Sequence, residues 1–310
     1  MKQLVYIFIG LFLISCSGDG ENDSVENDSD STQTNKIEFD TYIQKISYCI
    51  GLDHARGCYL TYTSAEVSDK FNIRQIELGL TDYLLGRDLR ISFFEKDSLL
   101  DLYLLPDGGI NENAVSKNDA SYLVGLDEGF NMVSALVGRK IDQEIEVEYL
   151  ADGVHEGMSA AEPTMPYMDA RRELTKYYSK INLENGSQFM QENLLFEGVI
   201  ETSSGLQYEV IEEGNGVSPN VTDSVTIHYT ARFIDGRVFE STIPSNIPFK
   251  GSLMGVIPGW QEGVGLMKEG GMSRLYIPHT LAYGPEGKGV VEPNSTLIFD
   301  IELIDVKRFQ

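Results

Sequence analysis

Apolar residues recur at three- and four-residue steps through the first half of the chain. Tyr42, Ile43, Ile46 and Ile50 mark one helical face, and Ile73, Ile76, Leu80, Leu84 and Leu85 mark a second. Leu105-Pro106-Asp107-Gly108-Gly109 breaks the pattern and predicts a turn. Pro166, favoured at a helix start, precedes a third stripe of Ala170, Leu174, Tyr177, Tyr178 and Ile181, which Asn185-Gly186 is expected to interrupt. From about Thr202 the period changes to two. Strands are predicted over 206–211, 225–233, 238–239, 272–277 and 296–306, with one short helix between Gly259 and Met267. Asp235-Gly236, between two alternating runs, is a hairpin signal. A helical front followed by strands around one helix is an α+β arrangement.

The helical front repeats itself. Residues 47–53 read Ser-Tyr-Cys-Ile-Gly-Leu-Asp and residues 121–127 read Ser-Tyr-Leu-Val-Gly-Leu-Asp, an offset of 121 − 47 = 74. The same offset pairs Gly79-Leu80 with Gly153-Val154, and Phe71, Ile73 and Ile76 with Ile145, Val147 and Leu150. A gapless offset over this span predicts two copies of one helical unit, the second closing near Gly157.

Charge narrows the partners. The formal net charge is −24, from 48 acidic and 24 basic residues. This excludes a phosphate-neutralising nucleic-acid binder and docking on anionic lipid through basic patches. The first residues are not part of the fold. Lys2 precedes an apolar run from Leu4 to Ile14, too short to span a bilayer and matched to a signal-peptide core. Leu13-Ile14-Ser15-Cys16 resembles a bacterial lipobox, which implies lipidation of Cys16 and cleavage before it. A plain signal peptide is the other reading. The acidic run to Asn35 carries one apolar residue, Val25, and is expected to be a disordered tether. It resembles the surface-export signal of Bacteroidetes lipoproteins, and is equally readable as a solvated spacer.

Cys49 and Cys58 lie nine residues apart. On one helix they would be separated by about 13.5 Å along the axis. A disulfide needs Cα atoms within about 7 Å, so an intrahelical bridge is excluded and buried free thiols are expected, a bridge across a dimer being the alternative. Neither their spacing nor a nearby His suggests metal, and His228 and His279 lack partners at metal or triad spacing. Gly284 to Gly289 has no phosphate-loop context, and no cofactor is expected.

The order of motifs in the last third identifies a family. It runs Ile227-His228-Tyr229-Thr230, Asp235-Gly236-x-x-Phe239, Pro248-Phe249, then Gly255-Val256-Ile257-Pro258-Gly259-Trp260. Glu262-Gly263, Ile277-Pro278, Leu281-Ala282-Tyr283-Gly284 and a run from Pro293 to Leu303 follow. From about residue 202 onward the set resembles FKBP-type peptidyl-prolyl cis–trans isomerases. The helical half resembles the N-terminal domain of the Mip-like and FkpA-like two-domain group, but carries its unit twice. The resemblance implies an antiparallel sheet wrapped around one short helix, preceded by the tandem repeat and a connecting helix.

It also implies roles. Tyr229, Phe239, Glu240, Trp260, Tyr283 and Phe299 match the catalytic set, with Tyr283 as hydroxyl donor to a substrate carbonyl. Phe249, Val256, Ile257 and Val291 match substrate-binding positions, Ile257 through its N–H. Glu240 stands where the family usually has Asp. Ser245 stands where many relatives have Arg near that acid, so Glu240 is expected to be more exposed and less fixed. Val290-Val291-Glu292-Pro293 departs from the usual rim. The expected organisation is a leader over 1–15, a tether over 16–35, helical repeats over 36–105 and 110–165, a connecting helix over 166–200 and the isomerase domain over 201–310.

The functional reading is an isomerase and foldase for exported proteins in the cell envelope, anchored by lipid at Cys16 to the outer membrane, on its periplasmic or its exposed face. Its partners are unfolded, proline-containing clients and, through the N-terminal helices, a second copy of the chain. The competing reading is a client-binding chaperone module with weak or no isomerase activity. A third is a surface adhesion or virulence lipoprotein on an inherited fold.

Overall fold

The computed structural model describes residues 36–309. The leader, the acidic tether and Cys16 lie outside the described residues. The chain forms two compact units, Met1–Leu174 and Thr175–Gln310.

The first unit is helical. Its elements are α1 (Tyr42–Tyr62), α2 (Ile73–Leu84), α3 (Lys96–Tyr103), α4 (Lys117–Gly138), α5 (Val147–Gly157) and the start of α6 (Tyr167–Asn193). Thr41 and Gln44 close a capping box at the start of α1; Asn72 and Ser116 cap α2 and α4 by accepting from backbone N–H groups of the first turn. The predicted break at 105–109 is a turn closed by a bridge between Leu104 and Ile110, with Gly108 at φ +85°. Helix α3 and the 3-10 turn before it (Phe93–Glu95) were not foreseen. Leu99, Leu100 and Phe93 pack there against Tyr122, Leu123 and Leu126.

The two repeats exchange partners. Helix α1 packs on α5 and α2 on α4, so each repeat's first helix rests on the other repeat's second. The contacts obey the 74-residue offset. A methyl group on Gly51 would lie 2.0 Å from the Leu150 carbonyl oxygen, and one on Gly125 2.0 Å from that of Ile76. Gly79 and Gly153 approach the carbonyls of Tyr122 and Tyr48 in the same way, at 2.1 Å each. No side chain fits at these crossings, so glycine permits the helices to touch. The Glu146 N–H donates to Ser47 Oγ at 3.0 Å, and the Asn72 N–H to Ser121 Oγ at 2.8 Å. Tyr48 donates to Glu156 at 2.5 Å and Tyr122 to Asp82 at 3.1 Å. Each pair of contacts is related by adding 74 to the residue of the first repeat and subtracting 74 from that of the second. The first unit is therefore a pseudo-two-fold assembly built inside one chain.

Cys49 and Cys58 are both buried free thiols on α1. Burial pushes the Cys49 thiol up to about 12.

The second unit contains the rest of α6, strands β1 (Val199–Glu201), β2 (Gln207–Glu212), β3 (Ser224–Phe233), β4 (Val238–Ser241), β5 (Phe249–Ser252), β6 (Met272–Ile277) and β7 (Leu297–Lys307), and helix α7 (Pro258–Leu266). The strand order is β1-β2-β6-β7-β3-β4, with β5 also paired to β3. Each pairing is antiparallel. Strand β3 alternates half-buried and buried residues along its whole length, as its sequence period requires. Gly236, at φ +90°, turns the chain from β3 into β4, and the Phe233 N–H bonds the Arg237 carbonyl at 3.0 Å.

Helix α7 lies against β6 through its glycines. A methyl on Gly259 would sit 2.4 Å from Ile277 Cγ2, and one on Gly263 2.4 Å from Leu275 Cδ1. The expected interruption of α6 at Asn185-Gly186 is absent, and the helix runs unbroken from Tyr167 to Asn193. Gly186 is kept for space instead: a methyl there would come within 2.5 Å of Thr296 Oγ1. Strands β1 and β5 are further elements beyond those predicted.

Candidate active site

Strand β3, the start of α7 and the start of β7 converge on one aromatic cluster. Trp260, in the first turn of α7 and 5% exposed, is its centre. Pro258 opens that helix at a position where its missing N–H is harmless, and Ile257 is the N-cap. Three rings meet the indole nearly perpendicular. They are Tyr229 at 5.0 Å and 88°, Phe299 at 5.4 Å and 83°, and Phe249 at 5.8 Å and 89°. Phe239 stands edge-on to Phe299 at 6.2 Å. Edge-to-face pairs of this kind fix ring orientation beyond what burial alone provides. Val291 is buried in the same cluster, and Val256, Ile257 and Tyr283 pack against it half-buried.

Nine of the ten residues named from the sequence therefore share one cluster. Glu240 is the tenth. It is exposed on β4 opposite Ala231, and its carboxylate is within hydrogen-bonding reach of the Tyr229 hydroxyl. The acid that lacks an arginine is held by a phenol. Ser245 instead shapes the loop after β4: it donates to the Thr242 carbonyl and accepts from the Ile247 N–H, both at 3.3 Å.

Several donors at the cluster are unspent. Trp260 Nε1 is buried with no hydrogen-bond partner among the described residues. The Tyr283 hydroxyl and the Ile257 N–H likewise have no recorded partner among those residues. Burial, and then the nearby Glu240 charge, push the Tyr283 hydroxyl up, so it remains a proton donor at neutral pH. Burial first and Glu240 second raise Tyr229 as well.

The sequence reading missed some neighbours. Phe233 pairs with Phe239 at 4.8 Å, and Leu281 and Ala282 pack against the cluster. Thr242 holds the Tyr229 backbone, its Oγ1 accepting from that N–H at 2.9 Å and bonding His228 Nδ1 at 2.9 Å. The end of β3's alternation pointed to Phe233. Thr242 gave no signal, because its role depends on how the chain leaves β4.

Residues 216–304 match the family profile of the FKBP-type peptidyl-prolyl cis–trans isomerase, and residues 117–210 match that of the domain amino-terminal to it. A probable FKBP-type peptidyl-prolyl cis–trans isomerase FkpA of Neisseria meningitidis serogroup B is 38% identical over 200 residues, 60% of this chain and 73% of that protein. The chain belongs to the FKBP-type peptidyl-prolyl isomerase family. The outer membrane protein MIP of Legionella longbeachae is 34% identical over 207 residues, 62% of this chain and 86% of that one. The crystal structure of FkpA from Escherichia coli aligns at 30% identity and a TM-score of 0.44, covering 64% of this chain and 97% of that one. The amino-terminal profile of this FKBP-type isomerase begins at the start of α4, so α1, α2 and α3 precede the matched region.

Proposed function

We propose that the Trp260 cluster binds the amide before a client's proline and speeds its rotation, and that Tyr283 and the Ile257 N–H hold the flanking carbonyls. The carrying observation is a buried aromatic cluster with unspent donors at Trp260, Tyr283 and Ile257. Rotation about a peptide bond faces a barrier of about 18–20 kcal/mol from C–N double-bond character. The twisted amide loses that resonance, and its carbonyl oxygen carries less charge. A surface that excludes water therefore disfavours the planar forms relative to the twisted one. No nucleophile and no cofactor enters this scheme.

In it, Trp260, Tyr229, Phe239 and Phe299 receive the proline ring, while Phe249, Val256 and Val291 wall it. Glu240 orients the Tyr229 hydroxyl. The domain boundaries given above, with the isomerase domain over 201–310, are part of the proposal. So is a place in the cell envelope with a lipid anchor at Cys16, supported by the leader sequence and by likeness to an outer membrane protein.

A second reading is a client-gripping module. Ile243, Ile247 and Met254, which flank Phe249 in the chain, are exposed and apolar, as a surface for unfolded chain requires. Cis–trans exchange of proline peptides, measured for the full chain beside a Trp260→Ala, Tyr283→Phe double variant, decides between them. Catalysis by the parent and its loss in the variant support the isomerase site. No catalysis by the parent leaves the gripping module. Deleting residues 36–200 then tests whether aggregation suppression depends on the helical half.

A further inference from the structure

The pseudo-two-fold axis of the first unit carries a chemical cluster that the isomerase reading does not use. A residue that meets its own 74-residue equivalent must lie at that axis. His54 and Glu128 do so, since 128 − 54 = 74 and Nε2 stands 3.3 Å from Oε2. Helix α1 presents His54, Cys58 and Tyr62 at successive four-residue steps, hence along one face. Helix α4 supplies Glu128. The donor atoms of His54, Cys58 and Glu128 all lie within 4.8 Å of one another.

We propose that His54, Cys58 and Glu128 form a binding site for a divalent transition-metal ion of the zinc class. One nitrogen, one sulfur and one carboxylate oxygen suit a borderline-soft ion. Bond lengths of about 2.0–2.3 Å to such an ion place its ligand atoms about 3.3–3.6 Å apart. The His54–Glu128 separation of 3.3 Å already fits. His54 Nε2 is buried and pairs with the Glu128 carboxylate, a contact that a cation would bridge. Tyr62 donates to Glu128 Oε1 at 3.0 Å, which fixes the carboxylate and leaves Oε2 for the ion. Part of the His54 side chain reaches solvent, giving the ion a way in, and the fourth ligand is water.

Charge balances in the bound form. The Cys58 thiol gives up its proton to solvent as the S–metal bond forms, so thiolate and carboxylate together neutralise a divalent ion beside a neutral imidazole. A bound ion would pin α1 of the first repeat to α4 of the second. No metal was expected here, because neither the Cys49–Cys58 spacing nor a nearby His suggested one. The informative spacing is His54 to Cys58, and the third donor comes from the other repeat.

The test uses the full chain carrying Cys16→Ser and Cys49→Ser, which leaves Cys58 as its sole thiol, stripped with chelator and titrated with Co²⁺ and then Zn²⁺. The expected result is one equivalent bound, with a thiolate-to-cobalt charge-transfer band that zinc abolishes. Glu128→Gln should weaken binding by more than about tenfold, and Cys58→Ser should remove the band. No band, or a band that survives Cys58→Ser, overturns the proposal. Should Cys58→Ser fail to fold, zinc X-ray absorption on the parent decides: one sulfur in the shell supports the site, and a shell of nitrogen and oxygen alone overturns it.

Discussion

At the residue scale the site turns on a few donors. Tyr283→Phe removes one hydroxyl without changing the ring. If that hydroxyl bonds the substrate more strongly as the amide twists, kcat/KM falls by up to about tenfold, the worth of one neutral hydrogen bond. Proline-peptide exchange kinetics read this directly, and an unchanged rate would remove Tyr283 from the mechanism. Asp223 offers a separate test through pH. Its buried carboxylate accepts from the N–H groups of Asn220 at 2.8 Å and Phe309 at 3.0 Å, and from Arg308 at 2.9 Å. These bonds hold its pKa below the ordinary carboxylate value. The stability it supplies is full above the unfolded pKa of about 3.9 and is lost as pH falls through the lower folded value. Asp223→Asn should therefore lower the denaturant midpoint at neutral pH, with the gap to the parent closing in acid. A constant gap from neutral to acid pH would show that the carboxylate's charge is not what matters.

At the element scale the exchanged helices depend on contact between backbones. Gly51 and Gly57 both lie on α1, but a methyl on Gly51 meets a facing carbonyl at 2.0 Å, whereas one on Gly57 meets nothing within 4 Å. Gly51→Ala should cost about 1–3 kcal/mol, because the helices must part. Gly57→Ala should stabilise by about 0.5–1 kcal/mol, because alanine restricts the unfolded chain and favours helix. Urea titration of the two variants separates these signs, and equal effects would deny the close crossing. The same contacts explain what was legible in the sequence. The 74-residue offset was visible because each repeat must keep the same glycine, serine and tyrosine at the crossing. Strand β3 was visible because its burial alternates along its length. Strand β1, of three residues, and β5, of four, are too short to show a period. Gly186 misled because a glycine kept for space looks in sequence like a glycine that breaks a helix. Trp260, Tyr229 and Tyr283 were legible only through their motif order, since nothing in single residues separates a pocket from a core.

At the scale of the whole molecule, duplication changes what one chain can satisfy. Helices α4 and α5 bury Leu123, Leu126, Leu150 and Val154, and their partners α2 and α1 come from the first repeat of the same chain. Because α1 is the equivalent of α4 and α2 of α5, a chain beginning at residue 110 loses both partners but keeps a copy of each kind of surface. Two such chains can restore the exchange symmetrically, α4 of each resting on α5 of the other. Light scattering should find the full chain as a single copy and the 110–310 fragment as a concentration-dependent dimer. The axis adds a second, sharper expectation. In the full chain the axial pair is His54 with Glu128, whereas in the fragment dimer two Glu128 side chains would face each other. Like charges at that position weaken the dimer, so Glu128→Gln should strengthen association of the fragment while leaving the full chain a single copy. A fragment that stays folded and monomeric would show that the exchange is not self-complementary. A fragment dimer indifferent to Glu128 would place the axis elsewhere.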